Sequence, residues 1–155
     1  MNTVLSLCAV LLFFPSAITA AQPGGKQMNI GIKIGNHLIT GVLHDSPAAR
    51  DFASRLPLTL RLKDYAGTEK IADLPGGKLD MQDAPVGMDP ALGDITYYSP
   101  WGNLAIFYRN FGYASGLIPL GKITSGMEHL SALRETVTVL IYRIEEKKAI
   151  RSWLP

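Results

Sequence analysis

Polar and apolar positions alternate along much of this chain. In LPLTLRLKDY, residues 56–65, Leu58, Leu60 and Leu62 fall on one side, and Thr59, Arg61 and Lys63 on the other. A period of two residues predicts a strand with one face buried. MNIGIKI and HLITGVL, residues 28–34 and 37–43, read as two further strands, and Gly35-Asn36 between them suits a tight hairpin. DITYY (94–98) and NLAIFYR (103–109) form a second hairpin across Ser99-Pro100-Trp101-Gly102, with Pro and Gly where a type I turn favours them. LIPLGKI (117–123) is a strand whose Pro119 calls for an edge or a bulge. TVTVLIYRIEE (136–146) is the last, apolar on both faces for part of its length, which predicts that both are covered.

Two stretches change period. In 44–57, Ser46 caps and Pro47 opens a short helix that carries Ala49, Phe52, Ala53 and Leu56 on one side, and Pro57 ends it. In 124–135, Ser125 stands three residues before Glu128, a capping box that predicts a second short helix. Between the strands, 66–80 reads as a loop with a short strand piece and a turn at Pro75-Gly76. Residues 81–93, rich in Pro and Gly, read as a long irregular connection. About eight strands, mostly in hairpins, and two short helices predict a mainly β domain. The best architecture is a closed antiparallel barrel with helices at its ends.

Composition narrows the setting. The chain has 155 residues, 47% hydrophobic and 18% charged, enough for one packed domain. A net charge of +2 without a long Lys/Arg run argues against nucleic acid as partner. The apolar run VLSLCAVLLFFPSAITAA, residues 4–21, is short for a membrane span, is interrupted by Pro15 and ends in small residues. It reads as a secretory signal peptide over 1–21, cleaved after Ala20 or Ala21, with 22–27 a flexible leader and 28–150 the domain. The expected location is periplasmic or secreted, with no membrane attachment after cleavage. Cys8, the one cysteine, lies in that segment, so the mature chain would carry no thiol.

SPAARDFASRLP, LPLTLRLKDYAGTEKIADLP and GDITYYSPWGNLAIFYRNFGYASGLIPLGKI together resemble the bacterial cyclophilin-like proteins, over roughly residues 28–145. DYAGTEK, GDITYY, PWGNLAIFY and GLIPLGKI carry the resemblance. It implies an eight-stranded barrel closed by two short helices, in agreement with the count from periodicity. The likeness to true peptidyl-prolyl isomerases is far weaker. Their Phe-x-Arg-x-Ile and Gln-x-Gly-Asp patterns are absent. Arg61, outward on its strand, and Arg109 are the candidates for the arginine such an enzyme needs.

Seven aromatic rings fall between residues 97 and 113. One face of NLAIFYR must fill the barrel, so most of these rings read as core. Trp101, at a turn tip, is either a lid or a ligand platform. Tyr97, Tyr98, Tyr108 and Tyr113 carry hydroxyls able to fix a bound amide or carboxylate. The ligand-binding set expected from sequence is Tyr97, Trp101, Tyr108, Phe111, Tyr113 and Glu69. Glu69-Lys70, adjacent opposite charges, reads most simply as a solvated pair, with a place on the groove rim as its functional alternative. His37, His44 and His129 lack metal-ligand spacing, and no Gly-x-Ser-x-Gly or phosphate loop occurs, so neither metal nor cofactor is expected. Three functions remain: a binding module for an extended peptide or small molecule, a peptidyl-prolyl isomerase, or a structural subunit that contacts a partner protein.

Overall fold

The computed structural model describes residues 28–145. The expected signal peptide, the leader, Cys8 and the end of the domain after 145 lie outside the described residues. In chain order the elements are β1 (Met28–Ile34), β2 (His37–Leu43), α1 (Pro47–Ser54), β3 (Leu58–Tyr65), β4 (Glu69–Asp73), β5 (Gly87–Met88), β6 (Asp94–Tyr98), β7 (Asn103–Phe107), β8 (Ala114–Ser115), β9 (Leu117–Ser125), α2 (Met127–Ser131) and β10 (Val137–Arg143). Eight strands close into an antiparallel barrel in the order β1-β10-β3-β4-β7-β6-β9-β2, while β5 and β8 pair as a separate small ribbon. The mainly β, eight-stranded barrel with two short helices is the architecture expected from the sequence.

Alternation decides what fills the cylinder. Ile30, Ile32, Ile39, Leu60, Leu62, Ile95, Leu104, Ile106, Leu120 and Ile141 point inward and are buried in one cluster. Eight strands leave an interior just wide enough for such side chains, so the barrel is a core and not a channel. The β1–β2 hairpin turns through Gly35 at φ +54°, with Ile34 opposite His37. Pro119 marks the bulge foreseen for it, where the pairing of β9 with β6 shifts register.

The helices close opposite ends of β2. Ser46 caps α1, its Oγ accepting from the Ala49 N–H at 3.3 Å, and Ala48, Ala49, Phe52 and Ala53 join the barrel core. Arg55 then ties this end together: it pairs with Asp51 and donates to the carbonyls of Pro75, Gly77 and Lys78. At the other end α2 buries Leu130 in the same core.

Two expectations are corrected. Ser125 does not cap α2. It is the last residue of β9, paired with Thr40, and its Oγ hydrogen-bonds the Thr40 hydroxyl at 2.7 Å. Gly126 takes the cap position at φ +80°, because Ile39 lies 3.1 Å from where a Cβ would stand. Nor is β10 covered on both faces. α1 packs on β9 and β2, and α2 on β2, so Leu140 on the outer face of β10 stays exposed.

Candidate functional site

Strands β3, β4, β7 and β6 are neighbours, and alternation sorts their side chains between the interior and the outer wall. Outward on β7 stand Asn103, Ala105 and Phe107. Both faces of this strand are buried, because Ala105 and Phe107 form a second small core with Ile71 and Leu117, packed by Met88, Tyr98 and Ala114. The β5–β8 ribbon therefore covers part of the outer wall; β5 falls within the irregular connection expected over 81–93, and β8 in a stretch for which the sequence predicts no element.

Beside that layer the wall opens into an aromatic groove of about 180 Å³. Tyr65, Tyr98, Trp101, Phe107 and Phe111 supply rings, with Glu69 and Asn103 among the polar lining. Trp101 is 61% exposed at the tip of the β6–β7 turn, where the Tyr98 carbonyl accepts from the Trp101 and Gly102 N–H groups. Tyr65 and Tyr98 meet the Trp101 ring edge-on, at centroid distances of 5.6 and 5.4 Å and angles of 87° and 81°. Phe111 lies 6.4 Å from Phe107. Glu69 stands opposite Tyr65 on one side and Phe107 on the other. Burial, with a contribution from the nearby Asp64 charge, raises its carboxyl pKa above the ordinary value, against the Thr68 hydroxyl, which lowers it.

The inward stripes of the same strands end differently. Asp64, Lys70 and Tyr108 continue the lines of Leu62, Ala72 and Ile106 and meet at the end of the barrel under the segment after α2. Lys70 is buried, and its Nζ donates to Asp64 Oδ1 at 2.6 Å and to the Leu133 carbonyl at 2.7 Å. Tyr108 Oη donates to the same carboxylate oxygen at 2.7 Å, and Lys70 Nζ sits 4.7 Å from the Tyr108 ring centre. These two donors, Lys70 first, hold the Asp64 carboxyl below its usual pKa, while burial and the bond to Asp64 push the Tyr108 phenol up. A polar cleft beside this cluster is lined by Asp64, Tyr108, Arg109, Ser131 and Arg134.

The structure thus divides the residues singled out from sequence. Trp101, Phe111 and Glu69 share the groove. Tyr97 does not: it is 0% exposed inside the barrel opposite Leu104, and its hydroxyl meets no partner. Alternation within β6 demands this, because Ile95 and Tyr97 must share the inward face. Tyr108 belongs to the Asp64–Lys70 cluster and not to the groove, and Arg109 to the cleft beside it, with its guanidinium 5.9 Å from the Tyr108 ring. Tyr113 is exposed just before β8, its hydroxyl over Gly87. Arg61 is exposed on β3, in a shallow depression with Asp73 and Pro75. Glu69-Lys70 is no solvated pair: one residue faces the groove and the other is buried at the barrel end. Reading the sequence missed Tyr65, Phe107 and Asn103 as groove residues, although Tyr65 continues the outward stripe of Arg61 and Lys63.

His37 and His129 stack at 4.0 Å, and no group of three or more His, Cys, Asp or Glu side chains suited to a metal occurs among the described residues. No described helix is long and apolar enough to cross a membrane.

No curated protein matches this sequence. Among solved structures, the solution structure of the hypothetical protein AF2241 from Archaeoglobus fulgidus is similar, with a TM-score of 0.59 at 18% identity, over 80% of this chain and 100% of that one. At that identity the likeness concerns the fold alone. The model of the Cyclophilin-like family matches residues 32–142, the whole circuit of the barrel from β1 to β10, and the chain belongs to that family.

Proposed function

We propose that this is an exported binding module that takes a ligand, either one side chain of an extended peptide or a small molecule, into the aromatic groove of its outer wall. The observation that supports the reading is the gathering of exposed rings, Tyr65, Trp101 and Phe111, around one cavity. Isolated exposed apolar residues are ordinary; rings grouped around a concavity with a few polar groups are the usual form of a ligand site. Export rests on the apolar run of residues 4–21 and its small-residue end.

Binding without catalysis suits the groove better than isomerisation. An isomerase lowers the amide rotation barrier with a donor held over the proline pocket. The described lining of the groove carries no arginine. Arg61 stands four residues along β3 from Tyr65, about 13 Å away on an extended strand.

An isotope-labelled sample of the mature chain, titrated with short end-capped peptides and small aromatic or amine ligands, tests the reading. Saturable shifts of backbone signals between residues 98 and 116 are expected, and Phe111→Ala should weaken the binding about tenfold. Ligands that shift nothing in this region would remove the proposal. In a protease-coupled proline-isomerisation assay the protein should match the uncatalysed rate; an acceleration lost in Arg61→Ala or Arg109→Ala would restore the isomerase.

A further inference from the structure

The groove has a chemical sign. Glu69 is the carboxylate in its lining, half-buried between Tyr65 and Phe107. Among the described residues no Lys, Arg or His forms an ion pair with it. Its one side-chain hydrogen bond there, from the Thr68 hydroxyl, is long at 3.5 Å. A carboxylate taken partly out of water without a partner is costly. Asn103, also in the lining, is 3% exposed; its Nδ2 donates to the Leu104 carbonyl, and its Oδ1 meets no donor. That oxygen is itself enclosed, so Glu69 is the acceptor left for a groove ligand. Around it stand five rings, whose faces carry negative potential. Each of these features favours a positive charge bearing apolar substituents, and each disfavours a carboxylate or a phosphate.

Size narrows the occupant. A cavity of about 180 Å³ falls below the roughly 300–1,000 Å³ of sites that enclose a drug-sized ligand. It suits one head group or one side-chain end. Tyr65 and Tyr98 each stand nearly perpendicular to Trp101, so the three rings form angled aromatic walls on the groove, a setting that suits an alkylated cation.

We propose that the groove binds an organic ammonium head, with Glu69 as its counter-ion and Trp101, Tyr65 and Tyr98 as its aromatic walls. This rests on the reading of the groove as a ligand site, and narrows the ligand to a cation. The head belongs either to a free amine or to the lysine side chain of a peptide. Binding gives Glu69 the partner it lacks and places the alkyl surface of the cation against rings that are now exposed.

Calorimetric titration of the full mature chain separates the possibilities. The probes are choline, its neutral carbon isostere, and a short end-capped peptide with a central lysine in free and Nε-acetylated forms. We expect choline or the free lysine peptide to bind about tenfold more tightly than its uncharged counterpart. Whichever of the two binds identifies the source of the head. Glu69→Gln should reduce that preference to about twofold without loss of the neutral isostere, and Glu69→Asp should retain part of it. Trp101→Ala should weaken charged and neutral probes together. Equal affinity for charged and neutral probes, or an unchanged preference in a folded Glu69→Gln, overturns the ammonium assignment but leaves a ligand groove in place. Absence of binding by every probe, neutral ones included, overturns the groove as well.

Discussion

At the scale of single residues, the unusual side chain is Lys70. Its ammonium is buried at the end of the barrel and has two oxygen partners, Asp64 and the Leu133 carbonyl, with the Tyr108 ring close by. The two halves of the ion pair are not equally exposed: the side chain of Lys70 is 2% accessible and that of Asp64 34%. Removing one partner therefore has unequal consequences. Asp64→Asn leaves a buried ammonium without its counter-charge, whereas Lys70→Met leaves a carboxylate that water reaches and that Tyr108 still binds. We expect Asp64→Asn to cost about 3 kcal/mol in urea unfolding at neutral pH, and Lys70→Met clearly less. The reverse order would mean that Lys70 is not held as its contacts indicate. The sign with pH follows from the lowered Asp64 carboxyl. The pair's contribution is complete above the ordinary carboxylate range and fades as pH falls through the lowered value in the folded state. Charge spacing alone does not separate Glu69 from Lys70, because neighbours on a strand face opposite sides. Whether either side is wet depends on the strands alongside, and these are distant in sequence.

At the scale of elements, the sequence is most readable where local chemistry decides. The Gly35-Asn36 hairpin, the Ser46-Pro47 start of α1, the leucine stripe of β3 and the bulge at Pro119 all rest on a few adjacent residues, and all four are present. Ser125 shows the limit. Its spacing from Glu128 satisfies a capping box, yet pairing with Thr40 keeps it in β9. The β5–β8 ribbon was not legible, because strands of two residues have no period to detect, and β5 lies in a Pro- and Gly-rich stretch besides. That ribbon supports the groove through Gly116. This residue donates to the Val86 carbonyl, and its own carbonyl accepts from the Ser99 N–H that begins the Trp101 turn. Its φ is +79°, and a Cβ there would stand 2.8 Å from Pro100 Cδ. Gly116→Ala should accordingly cost about 2 kcal/mol in thermal or urea unfolding, and should weaken groove ligands more than the loss of stability accounts for. An alanine variant of native stability with unchanged amide shifts around residues 99–102 would show that the turn is held by other means.

At the scale of the molecule, a filled cylinder and a binding wall occupy the same strands and divide their residues by alternation. The inward side chains of this eight-stranded barrel fill it as one packed cluster, so the inner stripe provides the stability and the outer stripe is left for recognition. Tyr97 and Trp101, four residues apart, stand on opposite sides of that division. Tyr97 carries a buried hydroxyl without a partner, which burdens the core with an unmet hydrogen-bonding group. Tyr97→Phe should leave stability unchanged or raise it by about 1 kcal/mol, with no effect on groove affinity. Trp101→Ala removes a ring that is mostly in solvent, so it should change stability little and abolish detectable binding. The two variants, measured by denaturant unfolding and by titration, should move one observable each. If Tyr97→Phe weakens a groove ligand as much as Trp101→Ala does, the wall is not independent of the interior, and the ligand reaches the barrel core through a path that alternation alone does not provide.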